Sequence, residues 1–219
     1  MGRTRKVICS IGTGPHAELL ARSATTFRDY AERHGYDLCI HDQAEPSGRP
    51  PAWAKVLLIR QQLDRYDLVL WIDADAAVTD PSVDIADLLG RRDLMALVAH
   101  TTPEGDDPIP NCGVWLLRSH RATRRFLDRV WDSTAYVEHR WWENAAVLDL
   151  LGYELEPRVR LVDPSPMFRH TRLLDTEWNS IPGDAAPRPR IVHFPGLPLD
   201  ERRAGLDAAV ASAASRNAT

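Results

Sequence analysis

The chain has 219 residues, with 27 lysines and arginines against 31 aspartates and glutamates, so its formal net charge is −4. This balance gives no electrostatic case for nucleic acid as a partner, and no apolar run reaches the roughly 20 residues that span a bilayer. Three widely spaced cysteines indicate neither a disulfide framework nor a zinc site. We therefore expect one large globular domain over residues 1–219, without a membrane span, in a reducing cytoplasmic setting.

The first part of the chain alternates between strand and helix patterns. Strands are predicted at Lys6–Ile11 and Tyr36–His41, separated by a helix at 18–34 that Gly35 ends. After a loop at 42–51, a second helix at 52–63 leads into an apolar strand that begins at Leu68. This order predicts a mostly parallel, Rossmann-like sheet flanked by helices, which is an α/β fold.

The second part of the chain gives shorter patterns and two loops. A helical turn is expected at 85–89, strands at 94–99, 114–117, 159–162 and 191–196, helices at 118–131, 140–151 and 199–214, a polar loop at 101–110, and an irregular segment at 163–189. A loop as long as the irregular segment usually either forms a binding site or is disordered. The Ala-rich last helix is expected to lie at the surface.

The most informative motif is the end of the strand that begins at Leu68. A continuous apolar run of this kind predicts a strand buried on both faces, and it stops at Asp73 and Asp75. Ligands bind at the carboxyl edge of such strands, and two carboxylates there suit Mg²⁺ or Mn²⁺. The alternative is a polar turn in which one aspartate caps the next segment.

Two further features point to phosphate. The Gly12-Thr13-Gly14 turn precedes a predicted helix, whose N-terminus attracts anions, although a purely structural turn is the competing interpretation. Only Lys6 and Lys55 are lysines among the 27 basic residues. Lys55 therefore suggests a selected compact charge for phosphate or carboxylate, with a surface lysine as the alternative.

Five segments, taken in order and spacing, resemble one family: residues 51–60, 71–76, 111–118, 142–146 and 191–196. The chain resembles the galactosyl/mannosyl/xylosyltransferase family, which includes fungal Golgi mannan enzymes and plant xyloglucan xylosyltransferases. The resemblance implies a GT-A glycosyltransferase fold, a nucleotide-sugar donor (a UDP-sugar first, a GDP-sugar second), Mn²⁺ or Mg²⁺, and retention of the anomeric configuration. Known members mostly carry a membrane anchor, so their polysaccharide acceptors are not transferred to this chain.

The resemblance assigns roles to individual residues. It implies metal coordination by Asp73, Asp75 and His193, and contact of Lys55 with the diphosphate or the sugar. The expected donor-binding residues are Gly12, Thr13, Gly14, Lys55, Asp73, Ala74, Asn111 and Gly113. In this assignment Gly113 allows close backbone approach and Asn111 binds sugar hydroxyls; a simple turn before a strand is the alternative.

The segment at 142–146 departs from the family pattern. The family has adjacent acidic residues and a glutamine near the anomeric centre, whereas this chain has Trp142 before Glu143, and Asn144 in place of the glutamine. Glu143 is therefore a candidate nucleophile, a stabiliser of an oxocarbenium-like species, or an orienting group. We favour front-face transfer, in which the departing phosphate takes the acceptor's proton and Glu143 and Asn144 position the reactants. Trp141 and Trp142 either stack on a sugar or belong to the core.

Residues 6–100 are expected to form the nucleotide-sugar-binding half, 101–196 the acceptor half, and 197–219 a terminal helix and tail. Glu104, Asp106, Asp107 and Glu143 are expected to border the acceptor without nearby lysines. Their potential would favour a cationic small molecule over a neutral saccharide.

Two other functions compete with sugar transfer. A haloacid-dehalogenase-like phosphatase would use Asp73 as nucleophile and Asp75 as acid or base. A non-catalytic protein would bind a nucleotide-sugar without turnover. The phosphatase motif normally lies near the N-terminus, whereas a strand–helix–strand unit precedes it here, so the function predicted first is the metal-dependent, retaining glycosyltransferase.

Overall fold

The structure, a computed structural model, describes residues 3–43 and 47–217. Its strands are β1 (Lys6–Ile11), β2 (Tyr36–His41), β3 (Leu68–Ile72), β4 (Ala76–Val78), β5 (Met95–His100), β6 (Ile109–Arg118), β7 (Tyr153–Glu154), β8 (Arg160–Leu161), β9 (Thr171–Leu174) and β10 (Ile191–His193). Its α-helices are α1 (Pro15–His34), α2 (Ala54–Gln62), α3 (Arg121–Asp132), α4 (Trp142–Leu151) and α5 (Leu199–Asn217). Residues 44–46 of the predicted loop at 42–51 lie outside the described residues, as do the last two of the predicted tail.

The main sheet has six strands in the order β2-β1-β3-β6-β5-β9. Neighbouring strands pair in parallel except where β6 is involved, which runs antiparallel to both β3 and β5. The predicted mostly parallel α/β sheet is therefore confirmed. Because β6 is reversed, its first residues lie at the edge of the sheet where β3 ends, and the Asp73 N–H donates to the Gly113 carbonyl at 2.8 Å.

Helices cover the sheet on both faces. Side chains of a strand alternate between the faces, so Val69 and Trp71 pack with one cluster, which contains residues from α2, α3 and α4. Leu70 and Ile72 pack with the other, which contains α1 residues such as Phe27. Every residue of β3 is buried, as its continuous apolar sequence predicts.

Two small features bring distant segments to the end of β3. The predicted strand continues as β4 only after a turn at residues 73–75, and β4 pairs antiparallel with β10. In this pairing His193 lies opposite Ala76. The last strand therefore delivers a histidine beside the two aspartates.

Several boundaries differ from those predicted. The strand predicted at 114–117 is longer, because β6 pairs with β5 from Ile109 onward, across a bulge between Leu97 and Val98. The predicted loop at 101–110 is correspondingly shorter. The helix predicted from residue 118 begins at Arg121, because the His120 Nδ1 accepts the Ala122 N–H and caps it.

The irregular segment predicted at 163–189 contains β9, which extends the main sheet beyond β5. Its two middle residues, Arg172 and Leu173, are exposed. A short, half-exposed edge strand has no buried alternation for the sequence to reveal.

The last helix lies at the surface as expected, because most of its residues are exposed or half-buried, but it buries one face. Leu206 is fully buried in a cluster with Leu19 of α1 and Ala77 of β4. The small alanine side chains allow this one face to pack closely against α1 and β4. Among the described residues, no helix is both long enough and apolar enough to cross a membrane.

Candidate active site

The three predicted metal ligands lie together at the end of β3. The His193 Nε2 is 3.2 Å from Asp75 Oδ1 and 3.6 Å from Asp73 Oδ2. One ligand atom from each residue lies within 4.8 Å of the others. Both aspartates lie in one turn, which is closed by a hydrogen bond from the Ala76 N–H to the Asp73 carbonyl. A second hydrogen bond, from the Phe194 N–H to the Asp75 carbonyl, joins this turn to the end of the last strand.

A chain of hydrogen bonds fixes which nitrogen of His193 faces the aspartates. The Gly113 N–H can only donate, and it reaches Asn111 Oδ1 at 2.8 Å. The same oxygen accepts from Asn179 Nδ2 at 2.9 Å, so Asn179 presents its Oδ1 to His193 Nδ1, 2.9 Å away. Nδ1 therefore carries a proton.

The consequence is a donor set that fits a divalent ion. With Nδ1 protonated, a neutral His193 presents the lone pair of its Nε2 to the two carboxylates. The lone pair and the carboxylate oxygens repel each other unless a proton or a metal cation lies between them. One imidazole nitrogen and two carboxylates suit Mn²⁺, and the carboxylates suit Mg²⁺. Asn179 is an orienting partner of the kind that ligating histidines use.

Two side chains stabilise the Asp75 carboxylate, His193 and Arg202. Asp75 is 6% exposed, and its second oxygen accepts from Arg202 Nη1 at 3.0 Å. Burial alone would raise the pKa of this carboxyl, but His193 and Arg202 outweigh burial and hold its pKa below the usual range.

Lys55 joins one aspartate to Glu143. Its Nζ lies 2.9 Å from both Asp73 Oδ1 and Glu143 Oε1, and the lysine is 5% exposed. Burial disfavours the charge, but the two carboxylates outweigh it and raise the pKa of Lys55 above its usual range. The surface-lysine alternative is therefore wrong.

Glu143 is buried as well, and burial raises its pKa although Lys55 opposes the shift. Its Oε2 has no hydrogen-bond partner among the described residues. A buried carboxylate oxygen without a partner is costly in a folded protein. Glu143 lines the cavity described below, so a bound ligand is a natural source of the missing partner.

Asn144 and Gly113 shape the start of β6. The Asn144 Oδ1 accepts the Cys112 N–H at 2.8 Å, and its Nδ2 donates to the Pro110 carbonyl at 3.2 Å. A Cβ added to Gly113 would lie 2.2 Å from His193 Cε1. Asn144 therefore holds the strand, and the glycine makes room for the histidine.

A cavity of about 830 Å³ connects these residues, a volume typical of small-molecule sites. Every predicted site residue except Gly12 lines it. Gly12 packs behind the loop, where a Cβ would lie 2.4 Å from the His16 carbonyl oxygen, while Thr13 and Gly14 face the cavity. Ala74 also lines it and is held by Ser23, whose Oγ donates to its carbonyl at 3.1 Å.

Sequence reasoning missed three residues of this site. Arg202 reaches Asp75 from the first turn of α5, and Asn179 orients His193 from within the predicted irregular segment. His100 lines the cavity at the end of β5. Only His100 had a local signal, because it ends a strand parallel to β3 and therefore lies at the ligand edge.

The acceptor side differs from the prediction of an unscreened negative region. Asp106 is paired with Arg158, and Asp107 accepts the Leu161 N–H. Glu104 lines the cavity together with Arg140. Lysines are absent there, but arginines supply the compensating charge.

The two tryptophans differ in their surroundings. Trp141 packs against the core and lies beneath Arg140, whose Cζ is 4.5 Å from its ring centroid. Trp142 is 44% exposed at the cavity, and its φ of 44° is unusual for a bulky side chain. The exposed ring is therefore the better platform for a ligand.

Comparisons with known proteins agree with this geometry. Residues 8–105 match the model of the galactosyl transferase GMA12/MNN10 family. An uncharacterized alpha-1,2-galactosyltransferase of Schizosaccharomyces pombe is 27% identical over 147 residues, 51% of this chain and 39% of that protein. The probable alpha-1,6-mannosyltransferase MNN10 of Saccharomyces cerevisiae is 26% identical over 164 residues, 60% of this chain and 42% of that protein. The chain therefore spans about two fifths of the length of these curated relatives.

Solved structures define the fold. A glycosyltransferase involved in the glycosylation of the major capsid of PBCV-1 superposes with a TM-score of 0.70 at 18% identity, covering 93% of this chain and 99% of that one. The galactosyltransferase LgtC, in complex with donor and acceptor sugar analogs, gives 0.63 at 13% identity, covering 95% of each chain. The chain has the GT-A fold of glycosyltransferases. These matches support the predicted resemblance: residues 8–105, which hold two of the five segments, are similar to the GMA12/MNN10 galactosyl transferase family.

The tight contact at Gly113 leads to a test of the metal site. Gly113→Ala should push the His193 ring away from the aspartates and weaken Mn²⁺ binding by about 10- to 100-fold. Isothermal titration with Mn²⁺ measures the change. Gly90→Ala is the control, since this exposed glycine lies outside the cavity, has no positive φ, and its new Cβ would meet only the Asp93 side chain. Equal Mn²⁺ affinity in Gly113→Ala and the wild type would show that the histidine is not a ligand.

Proposed function

We propose that the chain is a metal-dependent glycosyltransferase that moves a hexose or pentose from a nucleotide-sugar to a hydroxyl of a small-molecule or saccharide acceptor. The observation that carries the proposal is the Asp73–Asp75–His193 cluster, with Asn179 orienting the histidine, at the ligand edge of a GT-A sheet. A UDP-sugar is the favoured donor and a GDP-sugar the second candidate.

The donor's diphosphate would lie between the metal ligands and α5. Mn²⁺ or Mg²⁺ bound by Asp73, Asp75 and His193 supplies Lewis-acid stabilisation of the negative charge on a leaving diphosphate. Arg202 is a planar donor beside Asp75, and its geometry suits phosphate oxygens. Thr13 and Gly14 line the same cavity and would bound the nucleotide.

We propose retention by front-face transfer. The bond from the anomeric carbon to the diphosphate breaks, a bond to the acceptor oxygen forms on the same face, and a diphosphate oxygen takes the acceptor's proton. The negative charge of Glu143 then stabilises the positive charge that develops on the transferred sugar. Lys55 holds this carboxylate and Asp73 through two 2.9 Å contacts, so the group of three keeps one net negative charge.

The acceptor would bind beside Trp142, where an exposed ring can stack on a sugar face. Because Glu104 lies with Arg140 at this side, the cationic acceptor stays a prediction with weaker electrostatic support than the sequence suggested. A saccharide or small neutral aglycone is now equally compatible. The cytoplasmic setting also stays a prediction.

Two alternatives to sugar transfer, a phosphatase and a non-catalytic binding protein, are distinguished by fold and by turnover. The GT-A fold removes the basis for a haloacid-dehalogenase-like phosphatase, whose catalytic aspartate would belong to a different fold. A protein that only binds nucleotide-sugars would keep the cluster but show no turnover.

Donor turnover with and without metal tests the proposed function directly. A panel of UDP- and GDP-sugars should show Mn²⁺-dependent release of the nucleoside diphosphate, which EDTA abolishes and added Mn²⁺ restores. Asp75→Asn should lower kcat by about 100-fold or more, because it removes a charged metal ligand. Asp128→Asn, on the surface beside Arg60, is the control. Full turnover in metal-free buffer would contradict the assignment, and donor binding without turnover would favour the binding-only protein.

The role of Glu143 is tested by Glu143→Gln. Loss of the buried charge should lower kcat by about 10²- to 10³-fold while the donor Kd changes less than threefold. Glu154→Gln, an exposed residue paired with Arg160, is the matched control. Mass spectrometry of the wild type with donor alone should show no sugar attached to Glu143. A glycosyl adduct on that residue would replace front-face transfer with double displacement.

A further inference from the structure

His100 is a buried histidine at the ligand edge for which the mechanism above has no use. It ends β5, is 2% exposed, and lines the same cavity as the metal ligands. The register of β5 with β6 pairs Val98 with Asn111 and His100 with Ile109. His100 is therefore offset by two residues along the sheet from Asn111, whose Oδ1 takes part in the orientation of His193.

Asp184 determines which nitrogen of His100 carries the proton. The Asp184 Oδ2 is 3.2 Å from His100 Nδ1 and accepts the Thr101 N–H at 3.1 Å. A carboxylate can only accept, so Nδ1 is the protonated nitrogen. The aspartate itself is held by its N–H, which donates to the Ile181 carbonyl at 3.1 Å.

The other nitrogen is left as an acceptor. Burial lowers the pKa of His100 below its usual value although Asp184 opposes the shift, so the ring is neutral at physiological pH and Nε2 keeps its lone pair. That nitrogen is buried and has no hydrogen-bond partner among the described residues. Leaving such an acceptor unpaired costs stability.

The chemistry of the missing partner is restricted. Nε2 needs a hydrogen-bond donor, and a deprotonated diphosphate or a carboxylate has no proton to offer. His100 lines the cavity together with Thr102 and Ile181. A sugar hydroxyl is a donor of the right size and polarity for this position.

We propose that His100 is a substrate-binding residue whose Nε2 accepts a hydrogen bond from a sugar hydroxyl, with Asp184 holding the ring in the required orientation. This inference rests on the proposed function, since it assumes a sugar in the cavity. The hydroxyl belongs either to the transferred sugar or to the acceptor. Both sources offer the same chemistry, and the experiment distinguishes them.

Two substitutions separate the two ends of the ring. His100→Asn keeps a nitrogen that can donate to Asp184 but has no atom at the ε position. His100→Gln keeps an acceptor oxygen near the ε position. His170→Asn is the matched control, because the ring of that exposed histidine binds the Arg92 carbonyl on a surface outside the cavity.

The readouts are the Kd values for UDP and for the UDP-sugar that supports turnover, and the acceptor KM and kcat. If the hydroxyl is on the donor sugar, His100→Asn should weaken UDP-sugar binding by about 10-fold and leave UDP binding unchanged. If it is on the acceptor, both Kd values should stay constant and the acceptor KM should rise by about 10-fold. In either case His100→Gln should stay within about threefold of the wild type.

A second measurement compares the binding of monodeoxy sugar analogues with that of their parent sugar, first in the wild type. One deoxy analogue should bind about 10-fold more weakly than its parent, and His100→Asn should abolish this difference. The inference is overturned if His100→Asn matches the wild type in all readouts, if Gln loses as much as Asn, or if no deoxy position matters. If His100 is purely structural, His100→Asn should lower the thermal stability of the protein and weaken the binding of UDP as much as that of the UDP-sugar. Failure of the proposed function would instead appear as a wild type that turns over no nucleotide-sugar.

Discussion

The site depends on compensating two carboxylates that follow a fully buried strand. Asp73 and Asp75 lie one residue apart where β3 ends, and Asp75 is almost completely covered. Buried charges are stable only when they are paired. Three elements supply the partners: Lys55 comes from α2, which directly precedes β3, whereas His193 comes from β10 and Arg202 from α5, far along the sequence. Side chains from these three elements thus converge on the two carboxylates at the end of β3.

Three neutral residues orient the histidine that faces these carboxylates. Gly113, Asn111 and Asn179 form a directional series of hydrogen bonds that ends at His193 Nδ1. The amides of Asn111 and Asn179 thereby set which nitrogen of His193 carries the proton, without adding a charge. The backbone N–H at the start of that series exists at this edge only because β6 runs antiparallel to β3. Sheet topology therefore determines the chemistry of the histidine.

The sequence predicted those features that depend on local patterns of apolar and polar residues. β1 and β2 match their predicted bounds because alternating strand and helix patterns define them. The aspartate motif, Lys55, Glu143 and His193 were found by their position after apolar segments or by resemblance, and the structure brings them into one cavity.

What escaped prediction depends on long-range pairing. β9 is a half-exposed edge strand, and α5 has too few large apolar residues to show the face that it buries. Arg202 and Asn179 become parts of the site only once α5 and β10 are in place. Asn111 and Asn144 were predicted to contact or position a ligand, but their described hydrogen bonds go to the protein itself. A single sequence does not reveal such internal partners.

The central claim is that His193, oriented by Asn179, completes a divalent-metal site with two aspartates. Pulsed electron paramagnetic resonance of the protein with Mn²⁺ measures this directly, because a bound imidazole nitrogen gives a resolved ¹⁴N coupling. The account predicts that coupling in the wild type and its loss in His193→Ala, while the variant still binds Mn²⁺ more weakly through the carboxylates. A wild-type spectrum of bound Mn²⁺ without any nitrogen coupling would contradict it.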